Sequence, residues 1–140
     1  LKGREAIALE QKALAPFASQ DFVQADPSDY GNKVRDEMEN RGHTEAYIVN
    51  AEGSLLGKLN IYQAIACQDG NVGEFMDKTP ITLYGDESLN EAMIKVSQFV
   101  GESLPVVEKG SNRLIGSIAE GELFQAVIDV QSEARTIERD

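Results

Sequence analysis

Residues 45–64, EAYIVNAEGSLLGKLNIYQA, and residues 103–123, SLPVVEKGSNRLIGSIAEGEL, carry one pattern twice. In each, an apolar run leads into a polar turn containing glycine. A second apolar run with an internal glycine follows, and then a helix-forming segment. The repeat extends upstream in register: Ile81 minus Val23 is 58 and Val106 minus Ile48 is 58. After one extra residue in the second turn, Gly116 minus Gly57 is 59. Self-similarity at a fixed period constrains a fold more than any single motif, because each copy must adopt the same supersecondary unit. One unit of this size buries little core alone, whereas two can share one. The chain is therefore expected to pack as two copies related by a pseudo-two-fold axis.

Local chemistry fills in the units. Residues 4–15, REAIALEQKALA, read as a helix stopped by Pro16. It is either a connector from a preceding domain or a helix packed on its own domain, and residues 1–20 are set apart on that basis. The first unit, 21–70, starts with a strand at Phe22-Val23-Gln24. ADPSD (25–29) supplies turn and cap residues. A helix over 30–41 places Tyr30, Val34, Met38 and Arg41 on one side, and Gly42 stops it. Strands at 45–50 and 55–60 flank the turn AEGS, and a helix follows over 61–66. The second unit, 71–130, repeats this: a strand at 80–83, a helix over 89–100 with Leu89, Ala92, Met93, Val96, Phe99 and Val100 on its apolar face, strands at 104–108 and 113–119, and a helix over 120–130. The charged end, 131–140, is expected to fray. The fold class is thus α/β (α+β), β-α-β-β-α written twice.

Charge and composition exclude several functions. With 13 basic and 24 acidic residues the net charge is −11, which disfavours nucleic acid and anionic membrane surfaces as partners. A single cysteine, Cys67, permits no intrachain disulfide, and with one histidine it builds no metal site of the usual type. No apolar run spans a bilayer. The sequence does not begin with Met, which fits a piece cut from a longer protein. No phosphate-binding glycine loop occurs. The adjacent acids Asp36/Glu37 and Asp86/Glu87 do not face each other on a helix, so paired-carboxylate catalysis is not expected. His43, beside Gly42, is read as a structural or exposed histidine at a helix end, and Cys67 as a buried, inert thiol. No catalytic residue is assigned.

The ordered set MDKTPITLYGDESLNEAM, then SLPVVEKGSNRLIGSIAEGEL, resembles a cystathionine β-synthase (CBS) domain, and its repetition over residues 21–130 resembles a tandem CBS pair, or Bateman module. The first copy follows more loosely, with Tyr47 where Pro105 stands and Gly31 where Leu89 stands. The resemblance implies a regulatory module, usually dimeric, attached to a transporter, channel or enzyme. It also implies clefts between the copies that hold AMP, ADP or ATP. The family places a hydroxyl residue and an Asp after the strand glycine, the Asp accepting from ribose hydroxyls. Here Gly116 leads to Ala119 and Glu122, and Gly57 to Asn60 and Gln63.

The resemblance marks out Pro80, Ile81, Leu104, Pro105, Gly116, Ala119 and Glu122 as candidate ligand residues of the second copy, with Glu122, Pro80 and Ile81 grouped in one cleft. In the first copy the corresponding residues are Val23, Tyr47, Gly57, Asn60 and Gln63. Gly57 and Gly116 mark close backbone approach, either to a ligand or to a packed neighbour. The opening, LKGREAIALEQKALAPFASQDFV, is similar to the start of the cytoplasmic tail of bacterial chloride-channel-family proteins. That implies a homodimer, the transmembrane domain of the parent protein as partner, and a place on the cytoplasmic face of the inner membrane. A ligand-free dimerisation module and a regulatory module of a soluble enzyme are the alternatives.

Overall fold

The computed structural model describes residues 3–97 and 103–139, with side chains through Thr136, and each half builds the same three-stranded sheet. In the first, β1 (Val23–Ala25) pairs parallel with β2 (Glu45–Val49), and β2 pairs antiparallel with β3 (Leu55–Asn60). In the second, β4 (Leu83–Tyr84), β5 (Ser103–Val107) and β6 (Leu114–Ala119) repeat that order and polarity. Even the irregularities repeat: the register shifts between Ile48 and Val49, and again between Val106 and Val107. Helix α1 (Arg4–Gln11) opens the chain. Helices α2 (Gly31–Arg41) and α4 (Leu89–Val96) make the crossovers between parallel strands, while α3 (Ile61–Cys67) and α5 (Glu120–Arg139) follow the hairpins.

The helix ends follow from side-chain chemistry. Gly42 ends α2 at φ 72°, and His43 N–H reaches back to the Met38 carbonyl at 2.8 Å. Ser88 Oγ accepts from the Glu91 N–H to start α4. Asn60 and Gln63 cap α3 reciprocally. Val34 and Met38, one turn apart, are buried, whereas Tyr30 stands at the α2 N-cap and is 58% exposed.

Several boundaries differ from the sequence reading. Helix α1 ends at Gln11, and Pro16 sits in a separate 3-10 turn, Ala15–Phe17. β4 begins at Leu83, leaving Pro80 and Ile81 outside any strand; Pro80 has no N–H to give a ladder. Phe99 and Val100 lie outside the described residues. The charged end does not fray: α5 runs on to Arg139. The cause is α1, which packs along it. Ala134 is 3% exposed, and Arg135 Nε donates to Glu5 Oε1 at 2.8 Å.

The two repeats exchange their leading segments. Leu14 is fully buried in the core of the second repeat, among Leu83, Leu89 and Leu123. Val72 is fully buried in the core of the first, among Val34, Met38 and Leu59. Backbone hydrogen bonds fix both segments in the same way. Leu14 N donates to Glu87 O and Ala15 N to Gly85 O; 58 residues on, Val72 N donates to Asp29 O and Gly73 N to Pro27 O. Ser19 and Ser117 exchange N–H···O bonds of 2.7 and 2.9 Å, and Asp77 and Lys58 exchange bonds of 2.8 and 2.9 Å. Residues 13–19 and 71–77 are therefore straps. Each precedes one repeat in sequence and covers the other. The strap explains the strand glycines: a β-carbon on Gly57 would stand 2.6 Å from the Asp77 carbonyl oxygen, and one on Gly116 would stand 2.6 Å from Ala18 Cβ. Between the sheets lies a small shared core of Tyr47, Leu55 and Val107.

Candidate functional site

Where β2, β6, the start of α5 and the first strap converge, the surface opens into a cleft of about 550 Å³ between the repeats. Its wall includes Asp21, Phe22, His43 and Tyr47 from the first repeat and Ser103, Ser117, Ala119, Glu120, Glu122 and Phe124 from the second. Ser19 of the strap completes it. The pseudo-symmetric position holds a smaller cleft of about 150 Å³, lined by Glu45, Lys58, Asn60, Gln63 and Asp77.

A polar network backs the larger cleft. Tyr47 OH lies 2.6 Å from Ser103 Oγ and 2.7 Å from Ser117 Oγ. Ser103 also gives its N–H, at 2.7 Å, and its hydroxyl, at 2.8 Å, to Glu45 Oε1. Lys58 Nζ stands 2.7 Å from Glu45 Oε2 and donates to the Ser103 carbonyl at 2.7 Å, so an almost fully buried ion pair ties the repeats together. Burial pushes the Tyr47 phenol up to about 12, against the pull of the two serine hydrogen bonds; the negative charges of Glu45 and Glu122 add to the rise. At the rim, His43 Nε2 lies 3.0 Å from Asp21 Oδ1 and Arg41 reaches the same oxygen at 3.3 Å. The His43 hydrogen bond is the main reason the Asp21 carboxyl is held below its usual range.

The structure distributes the expected ligand residues unevenly. Tyr47, Ala119 and Glu122 line the larger cleft, and Asn60 and Gln63 line the smaller. Pro80 and Ile81 line neither, which corrects their grouping with Glu122. Asp21 and Phe22 of the first repeat, at the approach to β1, share the cleft wall with Glu122 instead. Val23 and Leu104 are fully buried, and Pro105 is buried in β5. Gly57 and Gly116 face the straps. Glu122 and Gln63 have a structural duty: Glu122 Oε1 accepts from the Ala119 N–H at 2.8 Å, and Gln63 Oε1 from the Asn60 N–H at 2.9 Å. Asp21, His43, Ser103 and Ser117 were not singled out from sequence as ligand residues, and only the register of the repeat could have pointed to them. Cys67 is buried, its thiol donating to the Gly70 carbonyl at 3.0 Å.

Among the described residues no cluster of three or more His, Cys, Asp or Glu is placed to hold a metal ion, and no helix is long and apolar enough to cross a membrane.

Comparison with known proteins agrees with this architecture. The CBS domain family profile matches residues 72–129. Solved structures extend the likeness to both repeats. CBSX2 of Arabidopsis thaliana in complex with AMP is 18% identical with a TM-score of 0.73, the match covering 85% of this chain and 98% of that one. The fold is that of a CBS-domain pair. A CBS domain pair in complex with 5′-methylthioadenosine and S-adenosyl-L-methionine is similarly close, at 18% identity and a TM-score of 0.69, covering 84% and 97% of the two chains. The cytosolic domain of the Mg²⁺ channel MgtE in complex with ATP is 19% identical with a TM-score of 0.73; 87% of this chain matches 52% of that one. At such identities the likeness is one of fold. No curated protein matches the chain in sequence. Within that fold the two inter-repeat clefts are made unequal by this chain's own side chains.

Proposed function

We propose that this CBS pair is a regulatory module of a membrane transport protein, of chloride-channel or chloride–proton antiporter type, and that an adenosine-containing ligand occupies the cleft around Tyr47 and Glu122. The cleft between the repeats carries this reading. Its volume of about 550 Å³ falls within the ordinary range for small-molecule sites. Phe22 and Phe124 offer apolar faces to a base, and Glu122 offers a carboxylate to ribose hydroxyls. Similar solved structures hold AMP, ATP and S-adenosyl-L-methionine, which supports the ligand class. Likeness to a channel's cytosolic domain and the opening sequence support a transport host. A ligand that touches both repeats biases their relative arrangement only through differential affinity. Ser19, on the cleft wall, leads that bias into the strap and α1. Assembly as a homodimer beside a transmembrane domain belongs to the same proposal.

Thermal denaturation with adenine ligands tests it. A ligand at 100 times its dissociation constant adds about 2.7 kcal/mol of stability. The expected result is a raised melting temperature that Glu122→Ala abolishes. The second reading, a ligand-free dimerisation module, draws on Ala119, which lacks the family's hydroxyl, and on the Asn60–Gln63 pair, whose side chains are spent on each other's backbone. Absence of any shift at millimolar ligand selects it.

A further inference from the structure

One carboxylate sets the direction of every proton in the network behind the cleft. Glu45 only accepts, so the Ser103 hydroxyl 2.8 Å away donates to it. Ser103 Oγ then accepts from Tyr47 OH, and the Tyr47 oxygen accepts from the Ser117 hydroxyl. Each hydroxyl has a single proton and all three are used. Ser117, on the cleft wall, has only lone pairs left to offer.

The rest of the wall has the same sense. Asp21, Glu45, Glu120 and Glu122 are acids, and among the described lining residues His43 alone can carry a positive charge. His43 and Arg41 both sit on Asp21. Lys58 is held by Glu45 and the Ser103 carbonyl. The start of α5 is where a phosphate would find backbone N–H groups. There two carboxylates, Glu120 and Glu122, stand in the first turn, and Glu122 Oε1 also holds the Ala119 N–H just before it. A phosphate brings negative charge to a wall that holds four carboxylates and, among its described residues, no Lys or Arg.

Resting on the adenosine-cleft reading, we infer that the cleft selects an adenosyl ligand whose 5′ substituent is neutral or cationic and rejects 5′-phosphates. The ribose diol and the adenine amino group are donors that match the wall. A sulfonium or ammonium group gains from the same carboxylates.

Isothermal titration of the intact chain with adenosine, 5′-methylthioadenosine, S-adenosylmethionine, AMP, ADP and ATP tests this, at low and high salt and without divalent cations. The expected order has S-adenosylmethionine and 5′-methylthioadenosine at least tenfold tighter than AMP, and ATP weakest. Salt should narrow the gap between S-adenosylmethionine and ATP. Glu120→Gln/Glu122→Gln should tighten AMP and weaken S-adenosylmethionine. The fold should tolerate the second change, because Gln63 makes the same cap in the first repeat. AMP or ATP binding as tightly as 5′-methylthioadenosine overturns the selectivity and leaves the adenosine cleft standing. Binding by none of the six overturns the cleft reading itself.

Discussion

Gly57 lies beneath the carbonyl of Asp77, with no room between them for a side chain: a β-carbon there would stand 2.6 Å from the oxygen. The contact is backbone on one side, so the strap must move. Moving it breaks the two hydrogen bonds between Lys58 and Asp77. Gly57→Ala is expected to cost about 2–3 kcal/mol, within the range for overpacking. Urea denaturation measures it, and an unchanged midpoint would remove the strap as the reason for the glycine.

Leu14 is fully buried in a core belonging to residues more than sixty positions away. Leu14→Ala should cost about 2–5 kcal/mol. The loss should fall on the second repeat: amide hydrogen exchange in β5 and β6 should speed up more than in β2 and β3. Uniform acceleration would contradict the exchange of straps. For the same reason, deleting residues 1–20 should unfold the second repeat rather than merely disconnect it.

Tyr47 gives a pH signature. Below pH 10 the phenol is neutral in both folded and unfolded chains. Between 10 and about 12 only the unfolded chain ionises, so folding loses stability as pH rises through that window. The loss is on the order of 2–3 kcal/mol. Tyrosinate absorbance should show a late step near pH 12 that is missing from Tyr47→Phe. In that variant the alkaline slope of stability should also flatten.

Lys58 and Glu45 form an ion pair with side chains 8% and 10% exposed. Lys58→Met leaves the Glu45 carboxylate buried without its cation, and the expected cost is about 3–5 kcal/mol. Glu45→Gln added to Lys58→Met should recover part of it. A double-mutant cycle by chemical denaturation measures the coupling, and additive losses would show that the pair does not act as a unit.

The sheets and hairpins were legible because alternating apolar runs and glycine turns repeat in register. Gly57 and Gly116 were legible as close approaches, though not what approaches them. The straps were hidden: Leu14/Val72 and Ser19/Asp77 keep the period of 58 but share too little chemistry to be noticed. The site was half visible for a related reason. Tyr47, Ala119 and Glu122 were placed by the repeated motif. Pro80 and Ile81 were grouped with Glu122 because the motif carries all three in one copy, whereas Asp21 and Phe22 of the first repeat share the wall with Glu122. The length of α5 was misjudged because its charged residues suggest solvent, while Arg135 is held by Glu5 of α1.

The exchanged straps mean that neither half of this molecule is a free-standing piece. A polypeptide ending after the first repeat would carry a strap with nothing to cover and a groove with nothing covering it. Two such polypeptides answer each other's need, each strap lying in the other's groove, and the result is a closed ring of two with no loose edge. The approximate symmetry of the present chain is that ring, joined end to end by the residues between α3 and β4.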